Sequence, residues 1–394
     1  MMKIPKRKKI HKKNPHKENP HSESFHRKTM ETKQITVDPG MDYEELLKIL
    51  APFGKMIRSS EVVAFPTETV YGLGADALDP RGIKKIYEAK GRPVDNPLIV
   101  HIHDKRELVP LVKSVPPKAK ALMDAFWPGP LTMIFQKTVL VPMEVTAGGS
   151  TVAIRMPDHP VAKALIQISR VPLVAPSANR SGKPSPTTAE HVLEDLDGRI
   201  HGIIDGGKSM VGLESTVIDM TEPVPVLLRP GGITLGMIEK IIGPIERDFH
   251  LEPGHSMDPD SCKDKGIKPR SPGMKYTHYA PRASVVIIKG EGPKVIEHLR
   301  RMAKTYGMSK KKVGIITVDE HVKNYEDLPD VRIKSLGGEK DLAMMATNLF
   351  TTLRSFDATD VDIIFAEAIE DREVGEAIMN RLTKAAGENI IHVS

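Results

Sequence analysis

Two basic residues two apart, Lys90 and Arg92, open the stretch KGRPVDNPLIVH that ends at His101. Arg92 and Asn96 each precede a proline, which pushes a residue out of the helical region into extended backbone. Side chains at i and i+2 of an extended chain leave the same side. Lys90 and Arg92 are therefore expected as parallel cationic arms on a stiff ledge, with the Asn96 amide and His101 imidazole beyond them. Such a set suits a polyanion carrying other polar groups. Taken alone, a K-x-R pair is more often a solvated loop, because basic side chains are mostly exposed.

Other residues sharpen that choice. Arg155 and Arg229 each lie near the end of an apolar strand and close to a proline. Strand-end arginines serve as rim ion pairs, but two aimed at one cleft suit the clamping of carboxylate or phosphate. PTETVYG sets hydroxyls at Thr67 and Thr69 around Glu68, either as ligand contacts or as local backbone caps. SANRSG gathers Ser177, Asn179 and Ser181 around a glycine. That pattern makes a nest for phosphate or ribose, or an ordinary turn. No Ser-His-Asp order, paired-carboxylate spacing or His/Cys metal cluster is evident. Cations, hydroxyls and amides without an obvious nucleophile suit a site that positions reactants and stabilises charge, as in phosphoryl or nucleotidyl transfer.

Gly202 to Ser209 reads GIIDGGKS and satisfies the P-loop pattern. A P-loop needs a strand before its first glycine and a helix opening at the Lys-Ser. Here the strand-like Ile203-Ile204 lies inside the motif and another glycine follows, so a tight turn between strands is expected.

These residues need elements to hold them. Helical spacing of Leu46, Leu47, Leu50 and Ile57 predicts a helix near 42–60. Asp79-Pro80 is a good N-cap and first turn for the helix that delivers Lys90. After the strand LIVHI come helices expected near 104–113 and 117–126, then the strand PLTMIFQ. STVAIRMP alternates, with Val152 and Ile154 facing one way and Thr151, Ala153 and Arg155 the other. Further strands (PLVAP, STVIDM, VLLRPGG) interleave with helices near 158–169, 187–196 and 234–242. The whole predicts an α/β domain over 35–242 with a mixed twisted sheet and polar loops at strand ends. Residues 243–283 read as a linker that contains SPGMKYTHYAPRA, too specific for a passive spacer. Regular β-α-β punctuation over 284–394 predicts a small three-layer parallel sheet. It lacks G-x-G-x-x-G, so no dinucleotide is assigned to it.

The chain has 394 residues, 40% of them hydrophobic and only 4% aromatic. Two cores are affordable, and base stacking is a poor basis for any surface. A single cysteine, Cys262, excludes an intrachain disulfide and fits a reducing cytosol. No apolar run approaches the roughly 20 residues of a membrane span, and no signal core opens the chain, so a cytoplasmic protein is expected. Of 57 basic and 51 acidic residues, 11 and 3 fall in residues 1–34, leaving 46 against 48 in the body. The tail is thus expected to be disordered and basic. It reads as an RNA-phosphate arm, as a solubilising tail, or as sequence upstream of a start at Met30.

PTETVYGLGADA, KGRPVDNPLIVH, STVAIRMPDHP, APSANRSGKPSPT, LESTVIDM and LLRPGGIT, in this order, resemble the YrdC-type threonylcarbamoyl-AMP synthases. SPGMKYTHYAP and the second α/β unit resemble that family's two-domain form. The resemblance covers residues 36–394. It implies a YrdC-like open twisted mixed sheet, then a smaller Rossmann-like α/β/α domain. It implies synthesis of L-threonylcarbamoyladenylate from L-threonine, bicarbonate and ATP, with release of pyrophosphate. The product would serve threonylcarbamoyladenosine formation beside the anticodon of tRNA through a downstream transfer machinery. Mg2+ would accompany the ATP. By matching position, Thr69, His101 and Arg155 resemble the threonine-binding set, with Ser215 or Thr216 as a further member. Lys90, Arg92, Asn96, Thr151, Ala175, Ser177, Asn179, Ser185 and Arg229 resemble the ATP set. Tyr276 or Tyr279 would close over the site as a lid. Nothing at the K-x-R or S-x-N positions departs toward an inactive copy. The competing readings are an RNA-binding module and a related carbamoyl-transfer enzyme.

Overall fold

The computed structural model describes residues 30–251 and 278–394. The first domain contains β1 (Lys33–Thr36), α1 (Tyr43–Arg58), β2 (Val63–Phe65), β3 (Gly72–Asp76), α2 (Pro80–Lys90) and β4 (Ile99–His101). It continues through α3 (Pro117–Phe126), β5 (Leu131–Gln136), β6 (Thr151–Arg155), α4 (Pro160–Ser169), β7 (Leu173–Val174) and α5 (Ala189–Leu196). It closes with β8 (Gly202–Asp205), β9 (Thr216–Asp219), β10 (Val226–Arg229), α6 (Leu235–Ile242) and β11 (Glu246–Arg247). The strands form one mixed sheet in the order β1-β8-β2-β3-β7-β4-β6-β5-β9-β10-β11. Apolar faces on both sides bury against helices: α1 and α4 share one core with Val63, Phe65 and Leu173, while α2, α3 and α6 share another with Val100, Val152 and Ile154. The alternation read in STVAIRMP is present, since Ala153 faces a third, smaller cluster with Ile99 and Val217.

The second domain holds β12 (Ser284–Gly290), α7 (Gly292–Met308), β13 (Val313–Thr317), β14 (Val331–Ser335), α8 (Leu342–Asp357), β15 (Ile363–Glu367), α9 (Val374–Ala385) and β16 (Ile390–Val393). Its strand order is β14-β13-β15-β12-β16, and every pairing is parallel. Period-2 alternation splits β12: Val285 and Ile287 pack with α8 and α9, Val286 and Ile288 with α7. Three layers result.

Several expectations are corrected. Lys90 is not on extended backbone; it is the last residue of α2, whose Asp79 side chain caps the start as expected. Gly91 ends the helix at φ +61, a left-handed turn that glycine adopts without a Cβ penalty. Lys90 and Arg92 therefore diverge across a helix terminus. The helix expected over 104–113 is one 3-10 turn, Lys105–Leu108, with Pro110 unable to donate the next helical hydrogen bond. Lys33 and Gln34, assigned to the tail, lie in β1, which pairs with β8 and is anchored by Thr32 donating to Ile200 O at 2.9 Å. The stretch assigned to the linker begins with β11, a parallel edge strand on β10. β14 was also missed; it is an edge strand of half-exposed and exposed residues. The P-loop pattern spans β8 and a turn at Gly207, φ +85, with no helix at Lys208-Ser209.

The domains share a core. Val70 and Leu213 of the first and Tyr279 pack with Leu349, Phe350 and Leu353 of α8. The backbones approach closely at Gly212, φ +75, where a Cβ would lie 2.4 Å from Thr347 Cα. Only a residue lacking Cβ fits there.

Candidate active site

The functional side chains converge because of sheet register. Parallel pairing sets His101 of β4 opposite Arg155 of β6, and antiparallel pairing sets Arg155 opposite Thr132 of β5. Thr132 Oγ1 lies 2.7 Å from Ser215 Oγ, just before β9. A polar row thus crosses four neighbouring strands at their ends. Arg155 Nη1 donates to Thr69 Oγ1 at 2.7 Å and Nε to Gly129 O at 3.3 Å. Its Nη2 lies 2.6 Å from Glu68 Oε2, an ion pair made without hydrogen-bond alignment. Burial, reinforced by the Arg155 charge, drops the His101 pKa to about 3. The imidazole is therefore neutral at physiological pH.

The second half of the cleft begins at Ser215. Arg229 donates from Nε to Ser215 O at 3.0 Å and from Nη2 to Ser215 Oγ at 3.2 Å. Arg92 is fixed by its own loop, with Nη2 donating to Pro97 O at 3.0 Å. Burial lowers the pKa of each guanidinium to about 10, which leaves both charged. Facing them is the SANRSG loop, held by Asn179 Nδ2 donating to Arg180 O and Lys183 O, each at 2.8 Å. Ser177 Oγ donates to Asn179 Oδ1 at 2.5 Å. Ser185 Oγ donates to Glu214 Oε1 at 2.5 Å. His278 and Tyr279 close one side; Tyr279 has φ +68 and its ring is 5.1 Å from that of Phe350. The cleft is narrow, with a cavity volume of about 70 Å³.

Of the sequence candidates, Thr69, His101, Arg155, Ser215, Arg92, Ala175, Ser177, Asn179, Ser185, Arg229 and Tyr279 line this cleft. Thr216 does not: its hydroxyl donates to Ile233 O at 2.6 Å and accepts from Ile233 N at 3.1 Å. Of the pair left open, Ser215 lines the cleft and Thr216 does not. Lys90 is buried behind the SANRSG loop, donating from Nζ to Ser177 O and, at 2.6 Å, to Asn179 O. Burial and then the neighbouring Arg92 hold its pKa well below the usual lysine value. It is a strut, not a cationic arm. Asn96 and Thr151 also lie outside the lining, Asn96 with its carbonyl accepting from Tyr87 and Thr151 at the far end of β6 from Arg155. Tyr276 lies outside the described residues.

The sequence reading missed Thr132, Glu214, Lys183 and His278. Thr132 had a signal as the one polar residue inside the apolar run of PLTMIFQ, and Glu214 stood in the quoted LESTVIDM. Glu214 is buried; desolvation pushes its pKa up, but Arg381, Arg229 and the Ser185 hydroxyl outweigh it and hold it below the usual range.

Fixed guanidiniums, hydroxyls and amides at the strand ends of an open α/β sheet define a class: enzymes that hold a small acid against a nucleotide and stabilise charge as it moves. The comparisons specify the member. A family model described as telomere recombination, Sua5/YciO/YrdC, matches residues 55–231, and the threonylcarbamoyl-AMP synthase C-terminal domain matches 233–387. The threonylcarbamoyl-AMP synthase of Bacillus subtilis is 52% identical over 92% of this chain and 100% of its own. That of Pyrococcus abyssi is 48% identical over 88% and 96%. The crystal structure of P. abyssi Sua5 complexed with L-threonine superposes with a TM-score of 0.83 at 45% identity, covering 92% of this chain and 100% of that one. The chain belongs to the threonylcarbamoyl-AMP synthase family, in its two-domain form. It is an enzyme of that type, and the RNA-binding and carbamoyl-transfer alternatives give way.

Proposed function

We propose that L-threonine occupies the corner formed by Thr69, His101, Arg155 and Ser215, and that ATP lies along Arg92, Ser177 to Ser185 and Arg229. The observation that carries this is the row His101, Arg155, Thr132, Ser215, which meets Arg229 at Ser215 and so joins the two halves. The threonine carboxylate competes with Glu68 for the Arg155 guanidinium, whose Nη2 faces Glu68 without a hydrogen bond. Threonine's amine takes up bicarbonate-derived CO₂ as a carbamate. A carbamate oxygen then attacks the α-phosphorus, the bond to the bridging oxygen breaks, and pyrophosphate leaves with that electron pair. Arg92 and Arg229 lie where the leaving charge develops, and electrostatic preorganisation of this kind is a large catalytic term. Mg2+ would be carried on the triphosphate, where it neutralises phosphate oxygens. The lining hydroxyls and guanidiniums fit the remaining oxygens. Tyr279, which lines the cleft, is read as the lid that excludes water from the mixed anhydride.

The test is pyrophosphate release with threonine, bicarbonate, ATP and magnesium each omitted in turn. Release should collapse in every omission, and release indifferent to threonine or bicarbonate overturns the assignment. The product would pass to a tRNA threonylcarbamoyl transfer machinery. A cytoplasmic location agrees with the single cysteine, and cell fractionation checks it. No helix of the described residues is long and apolar enough to cross a membrane. Residues 1–29 lie outside the described residues; their basic composition supports contact with tRNA phosphates. Removing them should weaken salt-sensitive tRNA binding while adenylate synthesis continues. Equal affinity with and without them refutes the contact.

A further inference from the structure

Two arginines of the second domain reach into the loops that form the nucleotide side of the cleft. Arg381, on α9, is completely buried at 0% exposure. An arginine is almost never fully buried without full pairing, and this one is fully engaged. Its Nε donates to Glu214 Oε2 at 3.1 Å, Nη2 to Glu214 O at 3.1 Å and Nη1 to Pro230 O at 2.5 Å. The other oxygen of Glu214 accepts from Ser185 Oγ. One guanidinium therefore fixes three points of the cleft wall: the Ser185 hydroxyl through Glu214, the backbone leading into Ser215, and the residue after Arg229. Arg354, on α8, is a second tie. Its Nη2 donates to Pro184 O at 2.6 Å and to Asp195 Oδ2 at 2.8 Å. Asp195 Oδ1 in turn accepts from Lys183 Nζ at 2.6 Å.

We propose that Arg381 and Arg354 are positioning residues for the nucleotide, so that the second domain completes the ATP side of the first domain's active site. This rests on the placement of ATP along Ser177 to Ser185 given above. The two contacts converge on Pro184-Ser185 and its neighbour Lys183. Neither reaches Thr69, His101 or Arg155, whose partners belong to the first domain. Arg381 borders the threonine corner only through the Glu214 carbonyl before Ser215, whose own hydroxyl is held by Thr132 and Arg229. The inference is therefore selective: loss of either tie loosens ATP before it loosens threonine.

The experiment uses the full chain. Arg381→Lys retains a charge but cannot present a planar fork to three acceptors. Pyrophosphate release is measured against ATP at saturating threonine and against threonine at saturating ATP, beside thermal melting. Arg381→Lys should raise the KM for ATP about tenfold and the KM for threonine by less than about twofold. Ser185→Ala added to Arg381→Lys should raise the ATP KM little further, because both changes break one chain of contacts. An unchanged ATP KM with a lowered melting temperature overturns the proposal, since the arginine is then only glue between domains. Equal rises for both substrates, or fully additive effects with Ser185→Ala, also overturn it. If Arg381→Lys does not fold, Arg354→Lys carries the test by the same ATP-selective criterion. A native chain that shows no ATP- and threonine-dependent release overturns the ATP placement itself.

Discussion

Ser215 and Thr216 are adjacent hydroxyl residues with opposite duties. Ser215 faces the cleft between Thr132 and Arg229, while Thr216 spends both hydrogen-bonding directions on Ile233. Ser215→Ala should raise the threonine KM about tenfold with little change in melting, as expected for a lost binding contact. Thr216→Val should instead cost about 1–3 kcal/mol of stability by leaving Ile233 N–H and C=O unpaired, with the KM values kept. Reversed outcomes in steady-state kinetics and denaturation would exchange the assignments. His101 yields a pH prediction. Its folded pKa of about 3 lies below the roughly 6.5 of an unfolded histidine. Between those values the unfolded chain binds the proton and the folded chain does not, so acidification favours unfolding. Above about pH 6.5 both states are neutral and the contribution is flat. Denaturant-derived stability should therefore fall from pH 7 to pH 4 more steeply in the native chain than in His101→Asn, and equal slopes would show that His101 does not stay neutral. Residue types alone raised Arg155, Arg229 and the Thr67/Thr69 pair as candidates but left rim ion pairs and backbone caps open, and the family resemblance singled out Thr69. Glu214 and Arg381 were illegible, because each acquires its role from a partner more than 150 residues away (|i−j| = 167).

At the scale of elements, the strongly periodic segments were readable: α1, α2 with its Asp79 cap, β5, β6 and the β-α-β pattern of the second domain. The failures share a cause. β1, β11 and β14 are edge strands, paired on one side only, so they carry little of the apolar alternation that marks a buried strand. The K-x-R misreading came from assigning proline's influence at Arg92 to Lys90 as well, when Gly91 stands between them as a helix stop. That glycine has a measurable consequence. A side chain added at Gly91 meets no atom within 4 Å, so any effect of substitution is conformational. Gly91→Ala should destabilise by about 1 kcal/mol, the cost of left-handed backbone in a residue with Cβ. It should also raise the ATP KM, because Arg92 takes its direction from that turn. A stability loss with unaltered ATP kinetics would show that the loop around Pro93 and Pro97 orients Arg92 without help from the helix terminus.

For the whole molecule, the sequence gives two domains by their separate punctuation, and the structure joins them more tightly than that pattern implies. Val70, Leu213 and Tyr279 enter the same apolar cluster as Leu349, Phe350 and Leu353. Buried charge pairs, Arg381 with Glu214 and Arg354 with Asp195, cross the same boundary. Unfolding one domain strips the other of these partners and exposes the shared apolar cluster to water. Independent unfolding of either domain is thereby penalised, and calorimetry should show one transition in which enthalpy and van't Hoff enthalpy agree. Phe350 is the residue to remove. It is fully buried, it belongs to α8, and its ring packs at a tilt against Tyr279 beside the cleft. Phe350→Ala should cost about 3–5 kcal/mol, the usual range for a buried phenylalanine. Because the loss falls at the boundary, it should also split the transition in two, with the second domain melting first. A lowered but still single transition would place Phe350 in one domain's core alone; two transitions in the native chain would contradict the joint core directly.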